Sequence, residues 1–196
     1  DLGGVHFYTV ELWQRQIERQ GLYFLNDKLR EKITAIQSTL AEGKLRILRV
    51  TGLSGLGKTR LVFEAVKPTL GAAPLVAALA ADTIYLSYAD VPDDLVNFVS
   101  HLASGDYAGT VIVDDCPEDI HDRLVSKVAP SSLSLVTVFH EPQAQRKDTQ
   151  PLGLEPEELG GVVEQILRQD EHLLAQGDEA MKTVAGFTEG FPQMAK

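Results

Sequence analysis

Apolar positions in the first part of the chain recur at helical spacing, then at strand spacing, then at helical spacing again. Over residues 9–20, Val10, Trp13 and Ile17 stand three to four apart among polar residues, the stripe of an amphipathic helix, with Trp13 as a packing anchor. Residues 26–42 repeat the pattern with Leu29, Ile33, Ile36 and Leu40; Asn26 or Asp27 is placed to cap the start, and Gly43 ends it. Residues 45–51 form an apolar run of strand length, and a helical pattern resumes at Lys58 and stops before Pro68. Residues 75–81 are apolar and alanine-rich. The β-branched and aromatic content of 83–87 predicts a strand, and 90–100 predicts a helix with Pro92 and Asp93 in its first turn. Residues 110–113, after Gly109, and 133–139 are largely apolar runs without alternation, as in strands covered on both faces. Residues 118–128 between them predict a helix.

After Pro151 the strand signals cease. Helical stretches follow over 156–170, opened by Pro156, Glu157 and Glu158 but interrupted by Gly160 and Gly161, and over 178–185. Residues 143–150 are polar enough for a loop. Strands alternating with helices predict an α/β fold whose central parallel sheet is covered by helices on both faces, followed by a small helical subdomain. The expected division is an N-terminal helical segment at 1–44, an α/β core at 45–150 and a helical lid at 151–196.

Composition narrows the function classes. With 196 residues and 44% hydrophobic content the chain can bury one substantial core. A net charge of -10 counts against a broad nucleic-acid or anionic-membrane surface, because both partners reward clustered lysine and arginine. No apolar stretch approaches membrane-spanning length and the start lacks a signal-peptide order, so no membrane partner is expected. The single cysteine, Cys116, permits no internal disulfide and suits a reducing compartment, which makes a cytoplasmic location the expectation. A start at Asp1 without methionine and an end at Lys196 within a helix-like stretch lead to the expectation of a segment of a longer protein. Partner domains or self-association would then complete its function.

The chemistry lies between the 45–51 run and the helix after it. Gly52-Leu53-Ser54-Gly55-Leu56-Gly57-Lys58-Thr59 reads as a phosphate-binding loop. Glycines let the backbone curl with its N–H groups inward, and the following helix N-terminus adds positive potential where phosphates sit. Lys58 is placed to reach the β- and γ-phosphates and Thr59 the magnesium ion, with Arg60 beside them at the helix start. A nucleoside triphosphate with Mg2+ is the expected ligand. Asp114 and Asp115, at the end of an apolar run, supply the carboxylates that magnesium-dependent hydrolysis needs: Asp114 for the metal and Asp115 as the base that polarises a water. Aspartates also favour a plain turn after a strand, and the upstream lysine loop is what tips the pair toward catalysis.

Other candidates are less specific. Thr137 and His140 end the next predicted strand, where a polar group can sense the γ-phosphate, although threonine also suits a strand and histidine a surface loop. Cys116 has no activating neighbour in sequence and reads as packing. Residues 186–192, with two glycines and Pro192, form either an ordinary interhelical turn or a proline–aromatic corner against a nucleobase.

In order, these motifs resemble the STAND class of P-loop ATPases, relatives of the AAA+ proteins that include the NB-ARC switches. The resemblance spans about residues 45–196 and rests on Gly52 to Thr59, on the 111–115 strand with its two aspartates, on the 134–137 sensor strand and on the Gly190-Phe191-Pro192 corner. It implies an ATP/ADP-dependent switch of conformation and assembly with slow hydrolysis, Pro192 at the base and Thr137 near the phosphate. The family's Gly-Arg-Glu stretch is replaced at 26–31, and the arginine that often ends its sensor strand is replaced by Val138, Phe139 and His140. The guanine-reading Asn-Lys-x-Asp pattern is missing, and the resemblance favours adenine. The rival readings are a small-molecule kinase with Arg146, Lys147 or Arg168 on a lid, an AAA+ motor or loader, and a domain in which nucleotide is purely structural.

Overall fold

The structure is a computed structural model and describes residues 6–18, 25–42, 46–68, 74–91, 93–105, 107–141, 147–159, 161–168 and 177–187. Strands β1 (Tyr8–Thr9), β2 (Ile47–Thr51), β3 (Thr83–Ser87), β4 (Gly109–Asp114), β5 (Leu133–Val138) and β6 (Gln150–Gly153) form one sheet in the order β1-β3-β4-β5-β2-β6. All neighbours are parallel except the two-residue β1, which runs antiparallel to β3. β5 therefore lies between β2 and β4, pairing Arg49 with Thr137 on one side and Val113 with Thr137 on the other.

Alternation along the strands divides the core. Leu48, Val50, Ile112 and Val136 face one side and pack with Trp13, Leu29, Ile36, Leu61 and Phe63 from α1 (Val10–Glu18), α2 (Asp27–Glu42) and α3 (Lys58–Val66). Ile47, Val111, Val113 and Leu135 face the other, against Leu95, Val99, Ile120 and Leu124 of α5 (Leu95–Ser104) and α6 (Glu118–Val128). Burial on both faces is why β2, β4 and β5 are nearly continuous apolar runs. The expected α/β sheet with helices on both faces is the observed architecture. Among the described residues no helix is long and apolar enough to cross a membrane.

Three elements depart from the sequence expectations. The unassigned 75–81 segment is α4 (Pro74–Ala81), with proline at its first position; nearly every side chain is apolar, so no period could show. The helix expected at 90–100 begins only at Leu95, because the chain first makes a turn in which Tyr88 N–H donates to Asp114 O (3.0 Å) and Asp90 N–H to Ser87 O (3.2 Å). Strand signals were expected to stop at Pro151, yet β6 continues the sheet through Gly153, pairing Arg49 with Pro151. Proline is tolerated there because β6 is, among the described residues, an edge strand with one side unpaired.

Past β6 the predicted 156–170 helix is split into a 3-10 turn, Pro156–Leu159, and α7 (Val162–Leu167), with Gly161 in the left-handed region at φ 79° between them. The later stretch forms α8 (Asp178–Phe187). Asn26 ties this region to the core: its Oδ1 accepts from Leu29 N–H (2.9 Å) as the cap of α2, and its Nδ2 donates to Glu158 O (2.8 Å). Replacing Asn26 with alanine removes both bonds and is expected to cost about 1–2 kcal/mol in urea-induced unfolding.

Candidate functional site

β2 delivers the chain to the glycine loop at the C-terminal edge of the sheet. Gly52 has φ 141°, and a Cβ there would lie 2.2 Å from the carbonyl oxygen of Leu154. Only glycine lets the segment after β6 close against the loop entry, where Leu154 N–H donates to Thr51 O (2.8 Å). Leu56, 2% exposed, anchors the loop in the core, while Leu53 and Ser54 are exposed. Gly55 and Gly57 also have positive φ, and Gly57 opens α3 with no side-chain cap. The helix therefore presents its first N–H groups without a capping side chain, the arrangement that receives an anion.

The residues expected around the phosphates and metal converge here. Lys58 is 8% exposed and its Nζ donates to Leu53 O (2.8 Å), folding the loop back on itself. Thr59 Oγ1 donates to Asp114 Oδ2 (2.8 Å), a contact across 55 residues of sequence. Burial pushes the Lys58 pKa down, opposed by the Asp114 and Asp115 carboxylates. Burial likewise pushes the Asp114 carboxyl up, opposed first by the Thr59 hydrogen bond. Asp115 is exposed and sits in the left-handed region at φ 51°, with its N–H on Asp114 Oδ1 (3.1 Å).

Arg60 is turned along its own helix: its Nε donates to Glu64 Oε1 (2.8 Å) and its guanidinium lies 5.6 Å from the Phe63 ring centroid. Thr137 is fully buried, with Oγ1 accepting from Arg49 (3.2 Å) and bonded to His121 Nδ1 (2.8 Å). His140 is half-exposed beside Glu141 at 3.6 Å. Lys147 and Arg168 are exposed. Pro192, with Gly190 and Phe191, and Arg146 lie outside the described residues.

Three residues at the site went unnoticed in the sequence. Tyr85 Oη donates to Asp114 Oδ2 (3.0 Å), and burial drives its phenol pKa well above the usual value. Arg49, 1% exposed in a central strand, donates to Cys116 O (2.8 Å), and His121 links Thr137 to Thr149. Burial lowers the Arg49 pKa, while the buried Cys116 thiol is pushed up to about 12 and is no nucleophile. A charged residue within an otherwise apolar strand run was the readable signal for Arg49; Tyr85 carried none beyond strand propensity.

The donor set fits a hard divalent cation. Asp114 and Thr59 offer two oxygens in mutual contact, and among the described residues no cluster of three or more His, Cys, Asp or Glu side chains competes as a metal site. Two protein oxygens completed by phosphate and water are what Mg2+ accepts.

Comparison with solved structures agrees with this topology. The chain aligns over its full length with S. cerevisiae Hsp104 in its ADP complex, at TM-score 0.59 and 11% identity, covering 32% of that chain. It aligns over 90% of its length with Drosophila ORC bound to DNA, at TM-score 0.51 and 16% identity, covering 54% of that chain. The chain has the P-loop fold of the AAA+ ATPases. A STAND protein with a tetratricopeptide repeat sensor from Pyrococcus horikoshii aligns over 89% of this chain and 29% of that one, at 18% identity and TM-score 0.47. This chain thus spans 29–54% of the length of these three structures. No protein-family model matches the sequence, and no curated protein matches it.

Within the AAA+ fold the loop entry tolerates no side chain. Gly52→Ala is expected to cost more than about 2 kcal/mol of stability and to abolish nucleotide binding, since either Leu154 or the loop must move. Thermal melting and nucleotide titration of the same sample check both effects.

Proposed function

We propose that this chain is the nucleotide-binding domain of a signal-transduction ATPase, an ATP/ADP-dependent switch of conformation and assembly with slow hydrolysis. The observation that carries the reading is the Thr59–Asp114 contact at the mouth of the glycine loop, with Lys58 alongside. The loop N–H groups and Lys58 would hold the phosphates, and Lys58 would exchange its bond to Leu53 for them. Thr59 and Asp114 would hold Mg2+, whose positive charge would offset the negative charge of the phosphates. Asp115, exposed beside Asp114, would take a proton from the attacking water.

The placement of two arginines among the described residues supports slow turnover. Arg60 is held by Glu64 and Arg49 is buried in the sheet, so neither is presented to a phosphoryl group. Further transition-state charge, beyond that of Lys58 and the cation, would come from a second subunit or another domain. Phosphate sensing by Thr137 would run through Arg49 and His121, which occupy its hydroxyl. Adenine preference, the part played by Pro192 and a lid formed by the helical stretches after β6 belong to the same reading. A motor or loader acting on a polymer is the alternative that the Hsp104-like and ORC-like fold supports; for DNA, the charge of -10 weighs against it.

Titration of ATP, ADP and GTP with magnesium, with phosphate release recorded in the same samples, tests the proposal. The wild type is expected to bind adenine nucleotides selectively and release phosphate slowly. Lys58→Ala should lose binding, whereas Asp115→Asn should keep it and lower the rate by about 100-fold or more. Rapid turnover by the isolated chain, or unchanged turnover in Asp115→Asn, contradicts the switch mechanism. Stimulation by a polymer would favour the motor.

A further inference from the structure

Asp114 Oδ2 receives two hydroxyls, that of Thr59 at 2.8 Å and that of Tyr85 at 3.0 Å. They differ in what a bound cation would do to them. Thr59 is itself a candidate cation ligand, so its hydroxyl hydrogen bond and its coordination draw on the same atom. Tyr85 approaches from β3, where it pairs in register with Ile112, two residues before Asp114 on β4. Its ring is held in place: it stacks on Trp13 at 4.2 Å and 15°, and tilts against Tyr8 at 6.2 Å. Trp13 in turn meets Phe63 of α3 edge-on at 5.1 Å. The phenol hydroxyl is thus aimed by packing rather than by its own freedom of rotation.

We propose that Tyr85 is a positioning residue for the cation site: its hydroxyl holds the Asp114 carboxylate in its binding orientation, and its ring relays cation occupancy to Trp13 on α1. The proposal rests on the nucleotide-binding reading above. It gives the N-terminal helix two separate contacts with the site. Phe63 reports on the helix that follows the phosphate loop, and Tyr85 reports on the metal-side carboxylate. A phenol that merely satisfies a buried carboxylate would affect folding and leave metal dependence alone.

Tyr85→Phe separates these roles, since it keeps the ring and its stack and removes only the hydroxyl. ATP affinity is measured by calorimetry with excess magnesium and again with EDTA, for the wild type, Tyr85→Phe, Asp114→Asn and the double variant. The emission of Trp13, the single tryptophan of the chain, is followed in the same titrations. The hydroxyl's hydrogen bond to a charged group sets the expected effect: about tenfold weaker Mg·ATP binding in Tyr85→Phe, with affinity in EDTA unchanged. The magnesium-dependent part of the Trp13 emission change should shrink, and the double variant should bind no worse than Asp114→Asn. Equal losses with magnesium and EDTA, or no loss in either, overturn the positioning role and leave the nucleotide reading standing. A wild type that binds ATP equally well in EDTA overturns the cation site as well. A wild type that binds no nucleotide removes the reading beneath both.

Discussion

A carboxylate buried at the end of a central strand has to be met by hydrogen-bond donors, and Asp114 draws them from separate parts of the chain. Thr59 donates from the first turn of α3, Tyr85 from β3 and the N–H of Asp115 from the next residue. Each donor requires another piece of architecture to be in place. Thr59 arrives only if the glycine loop closes, which requires Leu154 to pass over a glycine. Tyr85 arrives only if β3 pairs with β4 in the observed register and α1 packs Trp13 behind the ring. The cost of leaving such a group unpaired in a low-dielectric setting exceeds that of most single contacts, so site and fold are assembled together.

On the opposite face of the sheet a second polar network supports the same edge. Arg49 donates to Cys116 O, and Cys116 N–H donates to Val138 O (2.9 Å), so the residue after Asp115 is fixed at both backbone groups. That clamp accounts for a non-glycine residue holding φ 51°, a conformation that costs about 1–2 kcal/mol unless its surroundings impose it. The guanidinium lies 5.4 Å from the Phe139 ring centroid, which offsets part of its desolvation, while its Nε has no hydrogen-bond partner among the described residues. Thr137, His121 and Thr149 extend the network toward the chain that enters β6. The exposed base candidate thus stands on a buried polar frame.

Local chemistry made much of this legible. α6 runs from Glu118 to Val128 as expected, and α3 starts at Lys58, because a glycine break followed by helical periodicity is written within a few residues. Trp13 was readable as an anchor and Cys116 as packing, and both are buried. β6 was hidden because Pro151 is a poor strand residue except on an edge, and edges exist only once strands are ordered. The turn before α5 was hidden because its Tyr88 N–H is engaged by the carbonyl oxygen of Asp114, distant in sequence and adjacent in the sheet.

The amino-acid sequence by itself determined the glycine loop, its lysine and threonine, the acidic pair and the alternation of strands with helices. Those features follow from backbone freedom, side-chain chemistry and periodicity within one segment. Tertiary structure decided the placement of β5 between β2 and β4 and the meeting of Arg49 with Thr137. It also decided that Tyr85 would share an oxygen with Thr59. These depend on the register of strands far apart in the chain, and a shift of one residue would turn every such side chain to the other face.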